Sequence, residues 1–92
     1  MAKYRKKPVV IDAWPVRELL KHASTEWTNL PEEVVNEYEK GNVLFLADSI
    51  EIITLEGAMR ADPTDMVICG VKKELYPCKA DIFNSTYENA DG

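Results

Sequence analysis

Apolar and polar positions along this chain change period several times, and each change marks an element. Pro8 to Trp14 is β-branched and alternating. Val9, Ile11 and Ala13 fall on one face and Val10, Asp12 and Trp14 on the other, which predicts a strand. From Val16 the period becomes helical: Val16, Leu19, Leu20 and Ala23 share a face, and Pro15 suits a first helical turn. Ser24 to Leu30 is a polar link. It holds Trp27, which can fold back on the core or stand out as an anchor.

A second helix is more clearly punctuated. Asn29 and Glu32 have capping-box spacing, with Asn in place of Ser or Thr, and Pro31 fits the first turn. Glu32 and Glu33 favour the positive end of the helix dipole. Val34, Val35 and Tyr38 form a narrow apolar stripe, and Lys40-Gly41 is a stop signal.

Beyond Asn42 the period is that of strands. Val43 to Ala47 and Ile50 to Leu55 flank Asp48-Ser49, read as a tight turn. Glu56-Gly57 reverses the chain again toward a strand at Ala58 to Ala61. Asp62-Pro63-Thr64-Asp65 is a turn cluster, since Pro presets φ and the aspartates can bond the local backbone. Met66 to Val71 and Glu74 to Cys78 are expected to pair around Lys72-Lys73, with Pro77 ending the pairing. Ala80 to Ser85 then makes a helical turn that places Ile82, Phe83 and Tyr87 against the sheet.

These elements predict an α+β fold: a small bent antiparallel sheet or partly open barrel, with two short helices on one side. The 92 residues form a single domain with a basic flexible start at 1–6, a helical insert at 15–42 and a tail at 89–92. A chain this short buries only about two thirds of the surface it exposes when unfolded. A homodimer is therefore attractive, because exposed sheet edges need covering.

Composition narrows the class. The longest apolar run, Val43 to Ala47, is too short for a membrane helix. The basic start leads into a strand-like run rather than a long apolar one, so no secretory leader is expected. Two cysteines without a leader point to a reducing cytoplasm and free thiols. Lys3, Arg5, Lys6 and Lys7 hold four of the eleven cations, and the rest of the chain carries 16 acids against seven bases. An acidic body argues against general nucleic-acid binding and fits a basic partner or solubility alone.

Candidate chemistry is sparse. His22, the single histidine, lies near the end of the first helix, where the dipole favours it as a surface residue. Cys69 and Cys78 are spaced Cys-x8-Cys, neither a redox pair nor half of a zinc site. With Lys72-Lys73 at the hairpin tip, Cys69 would face Tyr76 and lie diagonal to Cys78, about 7 Å away. Asp62 and Asp65 bracket a turn, and a shared cleft would be needed for acid–base work or a hard cation. No serine sits in a nucleophile elbow, and the four glycines are isolated, so no loop can cradle phosphate. No catalytic residue, metal ligand or cofactor site is expected. Among the aromatics, Trp14, Trp27, Tyr38 and Tyr76 are the candidate binding residues, with Trp27 the best exposed anchor.

Three blocks carry a resemblance. They are Lys3-Tyr-Arg-Lys-Lys-Pro-Val-Val-Ile-Asp-Ala-Trp14, Thr54-Leu-Glu-Gly57, and Gly70 to Phe83 with Tyr87. Together they resemble a group of small tailed-phage and prophage proteins that open Lys-Tyr-Arg-Lys-Lys-Pro-Val, carry Thr-Leu-Glu-Gly, and close Gly-Val-x-Gly-Glu-x-Tyr-Pro-Cys-x-Pro-x-x-Phe. This chain departs from that pattern with Pro63-Thr64-Asp65 where those proteins carry Pro-Gly-Asp, Lys73 where a turn Gly is expected, and Ala80 where Pro is usual. Losing those glycines suggests turns that tolerate negative φ or have changed type.

The resemblance implies origin more than mechanism. The expectation is a non-enzymatic phage or prophage accessory protein in the host bacterial cytoplasm. It would act by binding, most simply a host protein, as an inhibitor or counter-defence factor. The alternative is an oligomeric binder of a small, nucleotide-like ligand, using Trp14, Trp27 or Tyr76. An acid-dependent hydrolase built on Asp62 and Asp65 comes third.

Overall fold

The computed structural model describes residues 2, 3 and 9–89. The strand start at Pro8, most of the basic start and most of the tail fall outside the described residues. The described residues form a small α+β fold with three α-helices and two three-stranded antiparallel sheets, not closed into a barrel. The expected single bent sheet is thus two sheets. The reason is order along the chain: two helices intervene between the first and second strands, and the Asp62–Asp65 turn sends the chain from one sheet to the other.

Strand β1 (Asp12–Pro15) runs directly into helix α1 (Val16–Thr25). Pro15 lacks a capping side chain, and the Val16 N–H donates instead to the Asp65 backbone carbonyl at 3.0 Å. That bond ties the helix start to the distant turn. Val16 and Leu19 are buried in the core.

After a 3-10 turn at Trp27–Asn29 comes helix α2 (Glu32–Glu39). The expected capping box does not form. Pro31 occupies the N-cap, and the Asn29 side chain donates to Glu26 Oε2 at 3.3 Å instead. The C-terminal stop is as read. Gly41 has φ +85, its N–H bonds the Tyr38 carbonyl, and the Asn42 N–H bonds the Glu37 carbonyl, completing a Schellman motif.

The second sheet, order β2-β3-β4, contains β2 (Val43–Phe45), β3 (Ile50–Thr54) and β4 (Gly57–Ala61). Phe45 pairs with Ile50, and the Leu46 N–H bonds the Ser49 carbonyl. Ala47-Asp48 is therefore the reversal, one residue earlier than Asp48-Ser49. Between β3 and β4, Leu55-Glu56 turns and Gly57 has φ +108.

The first sheet, order β1-β5-β6, adds β5 (Met66–Cys69) and β6 (Leu75–Cys78). Its hairpin differs from the expected one. The Lys73 N–H bonds the Gly70 carbonyl, the Gly70 N–H bonds the Glu74 carbonyl, and Lys73 has φ 66. This is a turn at Val71-Lys72 followed by a bulge at Lys73, so the pairing slips by one residue. Cys69 faces Leu75, Tyr76 faces Ile68, and Cys78 faces Met66. Pro77 does not end the pairing. It lies within β6, an edge strand, where a nitrogen directed away from the ladder needs no hydrogen.

Helix α3 (Ala80–Thr86) follows at once, with Phe83 and Tyr87 half-buried and stacked at 5.1 Å. Ile82 is exposed rather than packed on the sheet. The main core unites Val16, Leu19, Val34, Ile50, Ile52 and Val67, drawn from both helices and both sheets.

Candidate functional site

Trp27 and Tyr38 meet because the 3-10 turn folds back beside the end of α2, which leads directly to β2. Their rings stand edge to face with centroids 4.9 Å apart. Phe45 of β2 completes the group, 5.6 Å from Trp27 and 5.8 Å from Tyr38. Edge-to-face geometry sets the positive rim of one ring against the negative face of another, which fixes the three in place. Trp27 remains 39% exposed and Tyr38 41% exposed. Large rings that stay this open while being held rigid lose little freedom on meeting a partner.

The other two candidate aromatics lie elsewhere. Trp14 is half-buried on β1, opposite Val67, and packs against the main core. Tyr76 is half-buried on β6. Its hydroxyl pKa is pushed up to about 12, first by burial and then by a side-chain hydrogen bond with Tyr87. Of the four, only Trp27 and Tyr38 come together.

A groove flanks the aromatic corner on each side. One, about 540 Å³, runs between α1 and the β2–β3 turn over Leu20, Phe45 and Leu46, with Arg17 and Lys21 one helical turn apart on its rim. The ion pairs among the described residues use Lys40, Lys73 and Lys79, leaving these two cations without a carboxylate at 4.0 Å. The other, about 430 Å³, lies between Tyr38, Leu44 and Ile53, with Glu39 and Glu51 on its rim. The surface around the corner thus carries both signs, although the chain as a whole is acidic.

Phe45, Leu44, Ile53, Arg17 and Lys21 are absent from a reading of motifs. One signal for them exists. Val43 to Ala47 is continuously apolar, and side chains alternate across a strand, so such a run must present apolar groups on both faces.

The remaining chemical suspects hold the fold together. Asp62 Oδ1 accepts from the Thr64 hydroxyl at 2.6 Å and the Thr64 N–H at 3.0 Å, which lowers its pKa. Asp65 is 3% exposed; its Oδ2 accepts from the Asp62 N–H at 3.0 Å, and Lys79 Nζ lies 3.4 Å from its Oδ1. Lys79 is also 3.7 Å from Asp62, and its pKa is raised, above all by its hydrogen bond to Asp65. The two acids clasp one turn around one lysine.

Cys69 and Cys78 are free and, after the register slip, project from opposite faces of their sheet. The diagonal geometry expected of them does not occur. Burial raises both thiol pKa values, the direction opposite to nucleophilic activation. Among the described residues no three His, Cys, Asp or Glu side chains group as metal ligands, and no helix is long and apolar enough to cross a membrane. Comparisons with protein-family models, with curated proteins and with solved structures find no match for this chain.

Proposed function

We propose that this protein acts by binding another protein through the Trp27–Tyr38–Phe45 corner, without chemistry of its own. The observation that carries the reading is the corner itself: Trp27 stands edge to face on both Tyr38 and Phe45, and Trp27 and Tyr38 are each about two fifths exposed. Tyr and Trp dominate interface hot spots because they offer large contact area with few rotatable bonds. The setting implied by the sequence resemblance makes the partner a host protein, met in the bacterial cytoplasm during infection or lysogeny. Free thiols fit that compartment.

Affinity capture from host lysate, with the partner identified and the pair rebuilt from purified components, tests this reading. Trp27→Ala and Tyr38→Ala are each expected to weaken the rebuilt complex by about 30-fold, the effect of losing a hot-spot residue. A partner held equally well by both variants would sink the assignment of the corner.

One observation favours a second reading, an anionic small-ligand binder: Arg17 and Lys21 face an apolar groove with no neutralising acid. Native mass spectrometry of the purified protein would reveal a retained ligand. The groove is open, so a protein segment suits it better than a ligand that must be mostly enclosed. The hydrolase reading gains nothing from the Asp62–Asp65 turn, whose carboxylates are engaged with Thr64 and Lys79.

A further inference from the structure

The β2-β3-β4 sheet buries one face in the core and leaves the other bare. In register, Leu44, Glu51 and Arg60 form one cross-strand row on the bare face, and Ile53 and Ala58 form the next. Leu44 is 51% exposed and Ile53 46% exposed. Glu51 and Arg60 are direct cross-strand neighbours of opposite charge, yet no ion pair of 4.0 Å or less joins them.

Side by side, these rows are their own complement. A two-fold axis lying parallel to the strands, above the line between β3 and β4, exchanges the position of β3 with that of β4 in a second copy. It sets Glu51 over the second copy's Arg60 and Ile53 over its Ala58. Acid meets base, and the large side chain meets the small one, at both symmetry-related positions. Leu44 then flanks the aliphatic stem of the second copy's Arg60. An axis parallel to the strands is also compatible with aligned face-to-face sheet packing. The opposing charge pairs exclude the arrangement in which Glu51 meets Glu51.

We propose that this face is a homodimer interface whose occupant is a second copy of the same chain, seated about that axis. It adjoins the aromatic corner, because Tyr38 lines a groove with Leu44, Glu51 and Ile53, but Trp27 lies outside that groove, so Trp27→Ala tests the corner and the charge reversals test this face.

Sedimentation velocity of the full chain, run from micromolar to millimolar concentration, tests the proposal. The wild type is expected to show a monomer–dimer equilibrium. Glu51→Arg and Arg60→Glu each place like charges at two symmetry-related contacts. Each is expected to weaken the dimer by about tenfold per contact, about 100-fold altogether. The double exchange Glu51→Arg with Arg60→Glu restores the pairing and is expected to recover the wild-type dimer. Ile53→Asp removes it, and far-UV circular dichroism should show every variant folded, since these side chains are surface groups. A wild type that stays monomeric at millimolar concentration overturns the proposal. So does a dimer untouched by single reversals, or a double exchange that fails to recover association.

Discussion

Two sheets of the same size, each of three antiparallel strands, are treated differently by the rest of the chain. In the β1-β5-β6 sheet, Ile68 points away from the main core, on the face it shares with Ala13 and Tyr76, and is still only 1% exposed. The Tyr76–Tyr87 hydrogen bond brings the end of α3 to that face. In the β2-β3-β4 sheet the corresponding face is bordered by Tyr38 and Glu39 at the end of α2, and Ile53 and Leu44 stand about half exposed. The first sheet is finished inside the monomer. The second retains apolar surface open to another molecule, which is why the binding proposals concentrate there.

The sharpest way to break this contrast is to truncate the same residue type on the two outer faces. Ile68→Ala leaves a cavity beneath Tyr76 and is expected to cost about 3 kcal/mol. Ile53→Ala removes half-exposed surface and is expected to change stability by less than about 0.5 kcal/mol. Urea unfolding of the two variants, at a concentration low enough to keep the protein monomeric, reads the difference directly. Equal losses would mean that the two faces are equally covered.

Next in size is the tie between sheet and helix. Tyr76→Phe deletes the bond to Tyr87 and is expected to cost about 1 kcal/mol at neutral pH. Burial of the Tyr76 hydroxyl, with the tie to Tyr87 second, also gives a pH signature. The Tyr76 pKa rises from 10.0 to about 12 on folding, so the fold favours its protonated form. Its stabilisation is whole below about pH 10 and is lost as pH rises from 10 toward 12. Unfolding measured across that window should fall more steeply in the wild type than in Tyr76→Phe. Matching slopes would show that folding does not favour the protonated Tyr76 hydroxyl.

Much of this was legible in sequence where the determinants are local. Helix α1 was visible in the spacing of Val16 and Leu19, and the stop of α2 in Lys40-Gly41. The Asp62–Asp65 turn was visible in its residue types. The division into two sheets was not, because it depends on β1 pairing with a strand more than fifty residues later. Asn29 matched a capping pattern, but Glu26 competes for its side chain. The aromatic corner joins a 3-10 turn, a helix end and a strand, and no sequence window spans all three. Phe45 could have been found only by asking where both faces of Val43 to Ala47 would go.

The hairpin turns extend the contrast on a smaller scale. The β3–β4 turn meets its need for positive φ with Gly57, at +108. The β5–β6 turn meets the same kind of need with Lys73, at 66, where a side chain crowds the backbone. Lys73 is thus a left-handed residue, so the expectation of a negative φ at this turn does not hold. Lys73→Gly relieves the crowding but lets the unfolded chain roam more widely, so a net gain of only about 0.5 kcal/mol is expected. Loss of the ion pair with Glu33, 4.0 Å away, works in the opposite direction, although an exposed pair at that distance contributes little. Lys73→Ala separates the two causes: it removes the charge and keeps the crowded Cβ. Stabilisation by Gly but not by Ala, in parallel urea titrations, would place the strain in the backbone of the otherwise better-covered sheet. Equal changes in both would show that the left-handed backbone at Lys73 carries no strain.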